Sequence, residues 1–187
     1  QAAKFFKIPV KYISWLKQVK MKTAGGQDAF SHLIESYEHH RQQLLILSRI
    51  VRLRISHYDK ELYSLLKTIS GIGPLTSSAL ISELGDINRF KTIDQLSSYV
   101  GFIPRIRESG ETTHTGGITF RCNTFLRTLL IEASWQAIRM DPAMMQYYHK
   151  HLVNNKGHKV IIKVARKLLN RIRYVMKNRQ PYITGVA

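Results

Sequence analysis

Apolar residues recur with helical spacing along most of this chain. Between residues 28 and 69 the positions Ile34, Tyr37, Arg41, Leu44, Ser48, Val51, Ile55, Tyr58, Leu62, Leu65 and Ile69 alternate three and four apart. Nine of the eleven are apolar. With no Pro or Gly inside it, this segment predicts a coiled-coil arm, formed within one chain or by self-association. A long helix folded back on its own domain stays open as the alternative. A second apolar run covers 75–84, with Gly85 suited to end it. Thr92-Ile93-Asp94-Gln95 has the form of a capping box and opens a short helix through about residue 99, ended by Gly101. Asn123 suits the cap of a helix over 124–140, whose apolar face carries Leu126, Leu129, Leu130, Ala133 and Ala137. Asp141-Pro142 breaks that pattern and starts a short helix through about residue 151. A last helix over 159–176 lines up Ile161, Val164, Ala165, Leu168, Ile172 and Val175. Its other face is basic, with Lys159, Lys163, Arg166, Lys167, Arg173 and Lys177. No strong period-two pattern appears, so the fold class is mainly α. Residues 105–121 hold Gly110, Gly116, Gly117 and several threonines, and read as a loop or small hairpin.

Three regions follow: a basic segment over 1–27, a helical arm over 28–69, and a compact helical domain over 70–187. The first is lysine-rich with interleaved aromatics, including Phe5, Phe6, Tyr12 and Trp15. Gly25-Gly26 reads as the breaker that ends it. Such a segment can hold single-stranded nucleic acid, or form a short amphipathic helix.

Between the arm and the run at 75–84 stands Ser70-Gly71-Ile72-Gly73-Pro74. Two glycines around one apolar residue allow a tight turn, and Pro74 suits a first helical position. The pattern predicts a helix-hairpin-helix motif, with Gly71, Ile72, Gly73 and Thr76 at a phosphate-binding helix start. An ordinary tight turn between core helices is the plain alternative.

Charge favours the phosphate reading. The formal net charge is +17 and the pI about 10.2, and no Asp or Glu follows Asp141. That excess argues for a polyanionic partner and for binding that weakens steeply with salt. No apolar run reaches the roughly 18 residues of a membrane span, and no signal peptide is visible. The single cysteine, Cys122, excludes an internal disulfide and fits a reducing cytoplasm. The histidines lack companions at ligand spacing, so no metal or other cofactor is expected in this chain. The first residue is Gln1, which reads as a piece of a longer protein.

Three blocks in order, SGIGPLTSSALISELGDINRF, QLSSYVGFIPRIRESG and ITFRCNTFLRTLLIEAS, resemble the C-terminal transposase domain of insertion-sequence DEDD transposases. The resemblance covers about residues 60–180. Cys122-Asn123 stands where that family more often has Gly-Asn. The resemblance implies a bacterial, nucleoid-associated transposase acting in DNA recombination. It further implies an upstream RuvC-like domain whose acids hold Mg²⁺, a guide RNA, and self-association into an oligomer. It also implies that the family's serine nucleophile is Ser109, in Ser109-Gly110. The residues alone do not single out Ser109, because a serine hydroxyl needs activation and no general base stands at an obvious spacing. Arg105, Arg107, Arg121 and Arg127 are close in sequence and suited to a scissile phosphate. The chain alone is then expected to be inactive, for want of the metal-binding acids. Three alternatives remain at this point: a non-catalytic helix-hairpin-helix module for DNA or RNA, a base-excision glycosylase, and a structural coiled-coil partner.

Overall fold

The computed structural model describes residues 9–109, 112–119, 121–153 and 155–184, with the backbone alone for 105–109, 112–116 and 118. Its described residues are mainly α-helical. The chain divides into two compact units, residues 1–51 and 52–187.

In the first unit, α1 (Val10–Leu16) follows Pro9 and buries Ile13. The Tyr12 and Trp15 rings stack at 5.4 Å. α2 (Ala24–Tyr58) begins in this unit and ends in the second. Gly25 and Gly26 lie in the first turn of α2, which corrects their reading as a breaker. Thr23 starts the helix instead: its Oγ1 accepts from the Gly26 amide at 3.1 Å and its carbonyl from Gln27 at 3.0 Å. A Cβ at Gly26 would lie 2.8 Å from that hydroxyl, so a glycine there makes room for the cap. Lys17 pairs with Glu38 at 2.8 Å. Of the heptad positions in this unit, Ile34 is buried, whereas Leu44 and Val51 are exposed at 49% and 43%.

The predicted run over 28–69 is two helices. Asp59 (φ −146°, ψ 78°) interrupts it, and its carboxylate accepts from the Leu62 amide to cap α3 (Lys60–Leu66). The break is an Asx-type competition for the backbone that apolar spacing does not register.

The second unit is built around α8 (Gly157–Asn178), which buries nine residues from Val160 to Met176. Against it pack α3, α5 (Ile93–Val100), α6 (Thr124–Met140), α7 (Pro142–Leu152) and a 3-10 turn (Ile87–Arg89). α4 (Pro74–Leu84) packs on α3 and α6. The core includes Leu66, Leu80, Leu84, Leu96, Leu126, Leu130, Met144, Leu168 and Leu169, each fully buried. Each such side chain contributes about 1.5–3 kcal/mol of transfer free energy. Side-chain caps start the helices where the sequence placed them: Thr92 accepts from Gln95, Asn123 from Leu126, and Asp141 from Ala143.

Between α5 and α6 runs a two-stranded antiparallel ribbon, β1 (Pro104–Ser109) and β2 (Thr112–Ile118). The register shifts by one residue between Pro104↔Ile118 and Ile106↔Thr115. Gly116 and Gly117 lie in that stretch and suit the extra residue of a bulge.

The tail after α8 crosses back over the core. Arg179 is left-handed (φ 53°) and its guanidinium pairs with Asp59 at 2.7 Å. Tyr182 donates its amide to Thr68 Oγ1 at 2.8 Å and its hydroxyl to Asp141 Oδ2 at 2.6 Å. Arg171 Nη1 reaches the same Oδ2 at 2.6 Å. Burial alone would raise the Asp141 pKa; the Tyr182 hydrogen bond, the Arg171 charge and the Ala143 amide outweigh it and hold the carboxyl below its ordinary value. Burial and the Asp141 hydrogen bond push the Tyr182 phenol up.

Candidate nucleic-acid interface

Three features of the second unit can meet a phosphate backbone: the α3–α4 turn, the ribbon with its base, and the outer face of α8.

The two glycines of the α3–α4 turn do different work. Gly71 is left-handed (φ 88°) and lies against α6: a Cβ there would sit 2.3 Å from the Ala133 carbonyl oxygen and 2.9 Å from the Ala137 nitrogen. Ile72 is 5% exposed and belongs to the core. Gly73 is extended (φ −94°, ψ −179°), faces open space, and is the N-cap of α4 with no side-chain cap. Pro74 takes the first helical position, and the Ser77 amide already bonds the Gly73 carbonyl at 2.9 Å. The described residues place no acceptor on the amides of Gly73, Leu75 and Thr76. Those amides and the helix dipole make the α4 start electropositive. Thr76 is half-buried beside them, and Lys67 on the turn is exposed.

Ser109 is the last residue of β1, and its backbone pairs with Thr112 at the end of the ribbon far from Pro104. Arg105 and Arg107 stand earlier on the same strand. Gly110 lies outside the described residues. At the ribbon's base Arg121 is exposed, while Arg127 donates to the Thr119 carbonyl at 2.7 Å and so braces the chain leaving β2. Asn123 Nδ2 donates to Glu83 Oε2 at 2.6 Å, and Tyr99 donates to the Glu83 carbonyl at 3.3 Å. The ribbon therefore rises from a base stapled to the end of α4.

On α8, Lys159 and Lys163 are exposed. Arg166 pairs with Asp94 at the start of α5. Lys167 holds its ammonium 4.4 Å from the centre of the Tyr147 ring. Arg173, counted with the basic face by its spacing, bonds the Phe90 and Lys91 carbonyls instead. Burial first, then the Arg171 and Lys150 charges, lower the Lys167 pKa against an opposing pull from Asp141. Burial, then Lys163, Lys150 and Lys167, lower that of His151. Sequence reasoning passed over Tyr147, His151 and Asn170. The signal was the i,i+4 pair Tyr147 and His151 on a helix facing the lysines of α8.

Among the described residues no helix is long and apolar enough to cross a membrane. None of their His, Cys, Asp and Glu side chains gather in threes around a metal-sized site.

Residues 63–149 match the family described as Transposase IS116/IS110/IS902 family. The chain is 35% identical over 94 residues to the transposase for insertion sequence element IS1111A of Coxiella burnetii, covering 46% of the chain and 26% of that protein. It is 33% identical over 122 residues to the pilin gene-inverting protein of Moraxella bovis, covering 64% of the chain and 38% of that protein. It is 26% identical over 132 residues to an uncharacterized insertion element IS110 protein of Streptomyces coelicolor, covering 70% of the chain and 32% of that protein. The chain thus spans less than two fifths of the length of these curated relatives.

Proposed function

We propose that this chain is the DNA-binding and strand-exchange portion of an IS110-type transposase, with Ser109 as its nucleophile. One observation carries the reading: the family match over 63–149 encloses both the α3–α4 turn and the ribbon that ends at Ser109. The positive charge gives a sequence-independent hold on DNA. The α3–α4 turn serves as a helix-hairpin-helix clamp, with the amides of Gly73, Leu75 and Thr76 on one phosphate.

In the reaction, Ser109 Oγ attacks a backbone phosphorus. An Oγ–P bond forms, the P–O bond to one neighbouring sugar breaks, and that oxygen takes up a proton and leaves as a free hydroxyl. A hydroxyl from a partner strand then attacks the phosphoserine, rejoins the DNA and releases Ser109. Arg105, Arg107 and Arg121, beside this strand in sequence, offset the charge that develops on the phosphate. The proposal extends to a guide RNA, to self-association through the long helix, and to a RuvC-like domain outside this chain that carries Mg²⁺. The described residues do not fit a Mg²⁺ seat, and no step above runs through the metal.

The test is Ser109→Ala in the full-length protein. Recombination and the covalent protein–DNA adduct should both disappear while DNA binding persists. Recombination that survives the substitution would eliminate the nucleophile and leave a non-catalytic DNA- or RNA-binding module.

A further inference from the structure

Ile93 at the start of α5, Tyr147 on α7, and Lys163, Arg166, Lys167 and Asn170 on α8 enclose a notch of about 260 Å³. His151 stands over Tyr147, with ring centres 4.4 Å apart and planes 31° apart. The notch therefore combines three cations, an aromatic ring, a side-chain amide and the apolar side chain of Ile93. That is the set of groups that one nucleotide of an unpaired strand requires: charge for its phosphate, a ring for its base, an amide for a base edge.

The contacts that occupy these groups now are weak ones. The Arg166–Asp94 pair is at the surface, with Asp94 72% exposed, and such pairs contribute little. The Lys167 ammonium lies over the Tyr147 ring, a cation–π contact that a phosphate can replace. An incoming phosphate draws both cations toward itself, and the departure of Lys167 uncovers the ring face for the base. A duplex cannot use this arrangement in full, because its bases are stacked and offer no free face to Tyr147.

We propose that this notch is a seat for a single nucleotide of an unpaired strand, phosphate on Lys163, Arg166 and Lys167, base on Tyr147 and Asn170. The proposal deepens, and rests on, the reading of α8 as a nucleic-acid-binding helix. A diffuse basic face holds any polyanion alike; this notch discriminates single strand from duplex.

Fluorescence anisotropy with a labelled oligothymidylate and a labelled blunt duplex tests it on the chain as it stands. Tyr147→Leu should weaken the single strand by roughly 5- to 150-fold, the range for losing one stacked base, and leave the duplex unchanged. Tyr147→Phe keeps the ring and should bind both as before. Tyr147 is partly buried against the core; Asn170→Ala, at an exposed position, is the variant safe for folding and should also weaken the single strand selectively. Equal losses on both nucleic acids, or no loss with either variant, would overturn the notch. The underlying reading fails separately: Lys159→Gln and Lys163→Gln would then leave the salt dependence of duplex binding unchanged, instead of reducing its slope by about 0.9 for each phosphate contact removed.

Discussion

Gly71→Ala should damage the fold and Gly73→Ala should not, although the two residues are one position apart. At Gly71 an added Cβ meets two costs. The left-handed backbone (φ 88°) costs an L-residue about 1–2 kcal/mol. The Cβ also lies 2.3 Å from the Ala133 carbonyl oxygen and 2.9 Å from the Ala137 nitrogen. Both are backbone atoms of α6, so the turn must back away, an overpacking cost of about 1–3 kcal/mol. Together these give about 2–5 kcal/mol, or a Tm drop of roughly 4–20 °C for a domain of this size. At Gly73 φ is −94° and nothing lies within 4 Å of an added Cβ. Alanine is a poorer N-cap than glycine, by about 0.5–1 kcal/mol, which offsets the about 0.4–1 kcal/mol gained through the less flexible unfolded chain, so stability should change by less than about 1 kcal/mol. Its methyl does project into the open space that a phosphate on the α4 start would occupy, so DNA affinity should fall evenly across sequences. Urea denaturation followed by circular dichroism checks stability, and anisotropy with two unrelated duplexes checks affinity. An unchanged urea midpoint for Gly71→Ala would refute the assignment of Gly71 to packing.

Tyr182→Phe removes the hydroxyl that donates to Asp141, a hydrogen bond to a charged group worth about 1.5–3 kcal/mol. Because the folded Asp141 pKa is depressed, its stabilisation is fully present above the unfolded value of about 3.9 and is lost as pH falls through the folded pKa. The gap between wild type and variant in urea titrations should therefore be widest at neutral pH and shrink in acid; a gap independent of pH would contradict the linkage. Asn123→Ala deletes both the α6 cap and the bond to Glu83, and should cost about 1–3 kcal/mol in the same assay, whereas Asn123→Ser, which keeps a cap acceptor, should recover the capping part.

Helices in the second unit were legible in the sequence because their starts are chemical rather than statistical. Thr92, Asn123 and the Asp141-Pro142 pair each place an oxygen on amides that would otherwise lack a partner, and apolar spacing fills in the rest. The break at Asp59 escaped because the same heptad spacing continues through it; only the carboxylate, engaged by Arg179 far along the chain, separates α2 from α3. Gly25-Gly26 misled for a related reason. Glycine marks a helix end when it follows the apolar run, and a helix start when Thr23 precedes it.

The candidate site was legible to different depths. Sequence placed Gly71, Ile72 and Gly73 in one turn but could not divide their roles, since α6 lies about sixty residues on and no local pattern points to it. The basic face of α8 was visible by period, yet Arg166 and Arg173 have partners on other elements that period cannot show. Tyr147 and Asn170 gained meaning only when α7 and α8 were side by side.

The helix at the centre of the second unit is nearly the last piece of it to be made. Until α8 leaves the ribosome, the faces of α3, α5, α6 and α7 that pack on it stay open, and the Tyr182 strap comes later still. At about 5–20 residues per second, the roughly hundred residues between α4 and that strap take on the order of 5–20 s to appear. For that interval a cationic nascent chain displays the uncovered leucines of α3, α5 and α6. Closure of this core thus waits for α8, although the helices it joins are made earlier.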